Sequence, residues 1–347
     1  MEKQQQTVCV TGATGYVAGH LIQQLLQAGH RVHGTVRSLS KSPKLAALYE
    51  LADQYPDQLE LFQAELLTQG SFRAAMRGCS VLFHTASPFT MRVAHPQRDL
   101  LDPAIKGTQN VLSAANAIDS IQRVVLTSSV AAMYCDAVDC QDAPIDESSW
   151  NTQASLEHQP YTFSKVQAEK AAWELAEQQS RWDLVVINPS LVMGPAISDQ
   201  TTSESFDILK QFGDGQLKTG APKYGIGLVD VRDVAQAHIL AAFNPQARGR
   251  YLCNAKDTEL FAIADALREQ YSSYPLPKMR PPKWLVWLIG PALDPLFTRK
   301  VISRNIGYEF RSNHQKIQQE LGMTFRDPNP GIREMFQQMI DKGVFDQ

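Results

Sequence analysis

The sequence predicts an α/β protein, a doubly wound parallel sheet with a smaller, irregular C-terminal lobe. Three observations predict it. Short β-branched runs alternate with helix-period segments through the first half of the 347 residues, the pattern of βαβ units. The first strand-like run breaks into a glycine-rich turn at Gly12 and Gly15. After Pro189 the pattern loosens. At about 150 residues per domain the length suits one large domain or two lobes.

The elements follow in order. Thr7-Val8-Cys9-Val10-Thr11 is a buried strand, and Leu21, Ile22, Leu25 and Leu26 mark one face of the next helix. Gly29 ends that helix as a C′ glycine. Arg31–Val36 is a strand, Lys44–Leu51 helical, Leu59–Phe62 a strand, Ser71–Met76 a short helix and Ser80–His84 a strand. A long helix is expected over 99–117, a strand at Arg123–Thr127, a long helix over 161–178 and a strand at Leu184–Ile187. Residues 196–226 are polar and read as irregular; strands return near 228–231 and 250–252. We therefore expect a nucleotide-binding domain at 1–189, with 228–255 returning to its sheet, and a substrate-binding lobe at 190–347.

Composition narrows the function. Thirty-three Lys+Arg against 36 Asp+Glu give a net charge of −3, without the basic excess that nucleic acid requires. Five cysteines form no CxxC pair; the reading is a reduced cytoplasmic protein with no disulfide framework and no metal site. The polar start is read as lacking a signal peptide. The apolar run Trp284–Ile289 is too short to span a bilayer, so no membrane partner is expected.

The turn Gly12-Ala13-Thr14-Gly15-Tyr16-Val17-Ala18-Gly19 sits where a strand meets a helix N-terminus. There glycines let the backbone approach a pyrophosphate and the helix end attracts its charge. Spacing is GxxG rather than GxG, but the strand–turn–helix context is the one a Rossmann dinucleotide site needs. At the end of the second strand stands Arg37, with Lys44 further on and no carboxylate before Glu50. An Asp or Glu there would accept from a ribose hydroxyl. An Arg fork suits a 2′-phosphate, which favours NADPH/NADP+.

Tyr161 and Lys165 are four apart and share a helix face. A Lys ammonium beside a phenol is expected to lower the Tyr pKa and prepare it for proton transfer to a carbonyl oxygen. Thr127-Ser128-Ser129 closes the preceding strand. Ligands of doubly wound sheets lie at the carboxyl ends of strands, which puts Ser129 in the crevice of the glycine turn.

The ordered set Thr11-Gly12-x-x-Gly15, Thr85-Ala86-Ser87-Pro88, Thr127-Ser128-Ser129, Tyr161-x-x-x-Lys165 and Asn188-Pro189 resembles the extended short-chain dehydrogenase/reductase family. Arg37, the run Phe83–Phe89, Asp146-Glu147-Ser148-Ser149-Trp150 and Asp230–Ala235 resemble its branch of NADPH-dependent methylglyoxal, dihydroflavonol and cinnamoyl-CoA reductases. The resemblance covers essentially the whole chain, most weakly at 270–305. It implies a triad of Ser129, Tyr161 and Lys165. It also implies cofactor contacts at Gly12, Thr14, Gly15, Tyr16, Val17, Arg37, Lys44, Glu65, Leu66, Thr85, Tyr161, Lys165, Pro189, Val192 and Ser203. Glu65 departs from the Asp usual in relatives. Asn110 is read as structural rather than as a fourth member of the triad.

His84 is read as a satisfied core histidine, and Trp284, Trp287 and Leu288 as core or lobe packing. The leading function is NADPH-dependent reduction of an aldehyde or ketone. The alternative is a nucleotide-sugar epimerase or dehydratase, which Arg37 disfavours; a non-catalytic NADP sensor would not need the triad. Phe89, Met91, Met133, Tyr134, Met193, Phe206 and Tyr224 are expected along the pocket, which suits an apolar or aromatic carbonyl, although Arg92 and Lys223 lie in the same loops. Helices 99–117 and 161–178 leave monomer and homodimer both open.

Overall fold

The computed structural model describes residues 5–40, 42–88, 93–200 and 203–345. The first half runs β1 (Thr7–Val10), α1 (Tyr16–Gln27), β2 (Arg31–Val36), α2 (Ala46–Gln54), β3 (Leu59–Gln63), α3 (Arg73–Met76), β4 (Val81–His84), α4 (Asp102–Asn116), β5 (Arg123–Thr127), α5 (Pro160–Glu177) and β6 (Asp183–Pro189). The rest comprises β7 (Leu191–Met193), α6 (Glu204–Gly213), β8 (Gly225–Asp230), α7 (Val231–Phe243), β9 (Gly249–Cys253), β10 (Lys256–Glu259), α8 (Phe261–Arg268), α9 (Lys283–Leu293), α10 (Arg299–Asn305), α11 (Gln315–Leu321) and α12 (Pro328–Asp341).

Seven parallel strands form the large sheet, in the order β3-β2-β1-β4-β5-β6-β9. The two-residue period of the strands explains its two covered faces. Val8, Val10, Val125, Val185 and Ile187 enter one core with Leu21, Ile22 and Leu25 of α1 and Val234 and Ala237 of α7. Cys9, Val124, Leu126 and Val186 enter the opposite core with Met76 of α3, Val111 and Leu112 of α4 and Ala172 of α5. Gly29 takes φ +85°, the left-handed cap the sequence predicts after α1. The direction of strand addition reverses between β1 and β4, which opens a crevice at their carboxyl ends.

Four features differ from the sequence reading. The helix expected over 99–117 begins with a π-type turn at Gln97–Leu101, and regular α4 starts at Asp102. Pro103 has no N–H to continue an α-helical ladder backward. Of the segment 228–255, α7 packs on the large sheet and β9 joins it next to β6, whereas β8 pairs with β7 and β10 in a separate three-stranded sheet. The glycines of β8 allow a close neighbour there, since a Cβ at Gly225 would lie 2.2 Å from the Phe310 nitrogen. Within the polar stretch 196–226, α6 forms, and Leu209 and Phe212 bury its one apolar stripe. Lastly, α11 returns to the large sheet, with Ile317 and Leu321 in the core of α1 and α7. All five cysteines are free and buried.

Candidate active site

The glycine turn is built by close contact. Gly12 takes φ +67°, and a Cβ there would lie 3.1 Å from Ala86. Its N–H donates to the Thr35 hydroxyl at 3.1 Å, and Ala13 N–H donates to the Thr35 carbonyl at 2.8 Å. These bonds fix the turn to the end of β2. Gly15 caps α1 without a side chain, so the N–H groups of Tyr16 and Val17 in the first turn lack intrahelical partners and point out of the helix end. Thr14 lies beside them, half-buried.

Thr11 ties this turn to β4. Its hydroxyl accepts from the N–H groups of Thr85 (3.1 Å) and Ala86 (3.0 Å) and lies 3.0 Å from His84 Nδ1. With both lone pairs used, the Thr11 proton goes to Nδ1. Burial first, then the Lys165 charge, lowers the His84 pKa to about 3, so His84 is the satisfied, neutral core histidine that the sequence suggests. The Thr85 hydroxyl donates to the Thr11 carbonyl.

Arg37, just past β2, and Lys44, in the 3-10 turn Pro43–Leu45 that precedes α2, are both exposed, and neither has an acidic partner among the described residues. Past the neighbouring strand β3 the Glu65–Leu66 loop is folded on itself. The Glu65 carboxylate accepts from the Leu66 N–H at 3.2 Å, while Asn110 donates to the carbonyls of Leu66 (3.0 Å) and Thr68 (2.7 Å). Asn110 is thus a loop anchor. The Tyr16 side chain serves packing: its hydroxyl donates to the Gly194 carbonyl and its ring meets Phe206 edge-on at 5.5 Å.

Ser129, Tyr161 and Lys165 converge beside this turn. The Ser129 hydroxyl, at the end of β5, hydrogen-bonds the Tyr161 phenol. Lys165 Nζ lies 5.6 Å from the Tyr161 ring centre and donates to the Ser87 hydroxyl at 2.9 Å. A continuous path of contacts therefore runs from Gly12 through Ala86 and Ser87 to Lys165, Tyr161 and Ser129.

The electrostatics correct one expectation. The Tyr161 pKa is raised, not lowered: burial pushes it up, the Glu204 charge adds to this, and the Ser129 hydrogen bond opposes it. At neutral pH the phenol keeps its proton. Burial lowers the Lys165 pKa to about 8, with Glu204 acting the other way. Glu204, the first residue of α6, was not singled out in the sequence. It is half-buried, and its carboxylate has no hydrogen bond or ion pair among the described residues. Burial and Asp207 raise its pKa to about 7 against the pull of Lys165.

A second missed residue holds the cluster in place. Glu169 lies one turn beyond Lys165 and is fully buried. It accepts from Ser128 Oγ (2.5 Å), Asn188 Nδ2 (2.8 Å) and Arg250 Nε (2.7 Å). Asn188 also donates to the Ser129 carbonyl at 3.1 Å. Neighbouring side chains at a strand end point to opposite sides. With Ser128 drawn into the core by Glu169, Ser129 is left facing the crevice. The Arg250 guanidinium stacks 4.0 Å over Trp150 and donates to the Glu147 and Ser149 carbonyls, so it also secures the 146–150 run.

Pro189 closes β6, Val192 lies in β7 packed near Tyr16 and Val17, and Ser203 precedes α6. Ser203 stands at an N-cap position without capping; its hydroxyl is buried with no partner. That orphan, the close-approach glycine turn and the two unpaired cations fit a dinucleotide with an added phosphate. Among the expected wall residues, Met133 and Met193 are 2% and 0% exposed and belong to packed cores. Phe89, Met91 and Arg92 lie outside the described residues. Cys135, Asp136 and His158 come within ligand distance of one another. Arg304 (2.6 Å) and Asn305 (2.7 Å) already bind the Asp136 oxygens, which makes the cluster a clamp onto α10.

The parallel sheet and its glycine turn define a dinucleotide-binding fold of the Rossmann type. The chain belongs to the NAD dependent epimerase/dehydratase family, which matches residues 8–253 and comprises extended short-chain dehydrogenases/reductases. It is 39% identical over 285 residues to a putative anthocyanidin reductase of Ginkgo biloba, covering 79% of this chain and 83% of the relative. It is 40% identical over 275 residues to cinnamoyl-CoA reductase CAD2 of Medicago truncatula, covering 78% and 82%. The crystal structure of yeast methylglyoxal/isovaleraldehyde reductase Gre2 complexed with NADPH superposes with a TM-score of 0.80 at 25% identity, over 98% of this chain and 99% of that one.

Proposed function

We propose that this protein reduces an aldehyde or ketone to the alcohol with NADPH. The observation that carries the reading is the contact path joining Gly12 to Lys165, Tyr161 and Ser129, which sets a protonated phenol beside a dinucleotide turn. Reductases among the relatives, one solved with NADPH, support it over the epimerase alternative.

The N–H groups at the start of α1 and the Ser203 hydroxyl would hold the pyrophosphate region, and Arg37 with Lys44 the 2′-phosphate. Glu65 and Leu66 would flank the adenine; Thr85, Pro189, Val192, Tyr161 and Lys165 would line the nicotinamide half. NADPH, when bound, supplies the hydride. The Ser129 hydroxyl positions the carbonyl oxygen and Tyr161 donates a proton to it, which makes the alcohol neutral. Lys165, charged below about pH 8, stabilises the phenolate left behind.

In this reading, residues 1–189 with β9 bind the cofactor, and much of 190–347 shapes the substrate site. The substrate is a small, apolar or aromatic carbonyl rather than a keto acid, because Glu204, charged above about pH 7, adds negative charge beside Tyr161 and Tyr224. Buried, free cysteines suit a reducing compartment such as the cytoplasm. Among the described residues no helix is long and apolar enough to cross a membrane. Mixing the protein with NADPH and a panel of aldehydes, ketones and keto acids tests the reading. Loss of reduced-nicotinamide absorbance is expected with neutral carbonyls and least with keto acids. No loss with any carbonyl refutes it.

A further inference from the structure

Trp284, Trp287 and Leu288 were expected to pack inside the lobe, and they do not. Residues 284–293 carry no charge and no polar side chain beyond the two indole N–H groups. A helix apolar on every face is normally buried on every face. Yet α9 buries only Val286 and Gly290, one stripe, against Ile302 of α10. Trp284, Leu288 and Leu293 are 67%, 59% and 77% exposed. Seven of the ten exposed large hydrophobic residues among those described fall between Met279 and Leu296, so they form one patch rather than ordinary scatter.

The rim of this patch is cationic although the chain is not. Between Glu269 and Glu309 the sequence has six Lys and Arg and a single acidic residue, Asp294. Arg280 is paired with Glu259. Lys278, Arg299 and Lys300 are exposed and have no acidic partner among the described residues. The Arg299 guanidinium sits 4.6 Å from the Trp287 ring centre, which places a positive charge against the apolar face itself.

We propose that α9 and its flanks dock this protein on an anionic lipid surface. Tryptophans with a basic rim match the boundary between acyl chains and acidic headgroups. Eleven residues span about 16 Å, against about 30 Å for a hydrocarbon core, so the helix lies on the bilayer and does not cross it. A second copy is the poorer occupant, because a two-fold contact of this patch with itself brings like-charged rims together. The buried stripe of the docking helix adjoins the candidate site. Tyr224 packs with Val286 and Phe297 on one side, and the Glu204 charge acts on its phenol on the other. The proposal stands apart from the carbonyl chemistry and is tested without it.

The test is co-sedimentation of the full chain with vesicles of phosphatidylcholine, with and without phosphatidylserine. Binding is expected only to the mixed vesicles and should weaken at high salt. Trp284→Ser with Leu288→Ser, and separately Lys278→Glu with Arg299→Glu and Lys300→Glu, should each lower partitioning by about tenfold or more. The same variants should keep the wild-type circular dichroism and melting profile, since the side chains are exposed. No binding of wild type to the mixed vesicles overturns the proposal, as does binding unchanged in both folded variants. A wild-type dimer that the Trp284 variant dissociates, without lipid binding, assigns the face to a second copy and overturns it too.

Discussion

Arg37 stands one residue past β2, exposed and without an acidic partner among the described residues, so no carboxylate among them competes for its guanidinium. A hydrogen bond to a charged group contributes about 1.5–3 kcal/mol, or roughly ten- to a hundredfold in affinity. Replacing Arg37 with Asp should therefore reverse a preference for NADPH over NADH. Catalytic efficiencies with both cofactors measure this, and equal use of the two by the wild type would mean that the guanidinium faces only solvent. Glu204 and Lys165 set a pH dependence. Lys165 has its pKa lowered to about 8, so its charge is present below that pH and is lost as the pH rises through it. We propose that Lys165 also holds the cofactor ribose, so NADPH affinity should fall across the same interval. Glu204 raises the Lys165 pKa, so Glu204→Gln should move the fall to lower pH. Fluorescence titration of NADPH against pH reads the shift directly; an unmoved midpoint would separate Glu204 from the lysine.

At the scale of elements, α5 is the beam on which the candidate site hangs, and Glu169 fastens it. Both members of the Glu169–Arg250 pair are buried. Removing one partner of such a pair costs about 3–5 kcal/mol, because the other charge is left uncompensated. Glu169→Ala should lose stability on that scale in urea unfolding, and should lower turnover as well, since Asn188 and Ser128 lose the acceptor that sets Ser129. A loss below about 1 kcal/mol, the range of exposed pairs, would show that the clamp is dispensable. Sequence alone hid this residue: in the run Gln167-Ala168-Glu169-Lys170 it reads as a solvated helix face. The strands and the glycine turn were legible because short β-branched runs and turn chemistry are local signals. Helix α6 was not, because its stripe of Leu209 and Phe212 is short and its surroundings are polar. The direction of the Tyr161 shift was misjudged for a related reason. Spacing reveals the neighbouring lysine, whereas burial, which outweighs it, is a property of the assembled fold. Helix α9 fails in the opposite sense, since its composition demands burial that the chain itself does not supply.

Taken whole, the molecule joins a seven-stranded parallel sheet to a smaller three-stranded one, and the joint is not a simple linker. The chain leaves the large sheet after β6, returns at β9 and returns again at α11. Tyr16, at the start of the first helix, is bonded to Gly194 in the second half. The candidate site lies along this joint, with Gly12, Ser129, Tyr161 and Lys165 on the large-sheet side and Ser203, Glu204 and Tyr224 on the other. The central claim is that this joint brings a protonated phenol to a carbonyl beside NADPH. Turnover of Tyr161→Phe with NADPH and the best neutral carbonyl, read beside NADPH affinity in the same variant, tests it most directly. Loss of a general acid lowers the rate by about two to four orders of magnitude, and the ring that remains should leave cofactor affinity within a fewfold of wild type. Turnover close to wild type in Tyr161→Phe, with the protein folded and NADPH bound, would contradict the account.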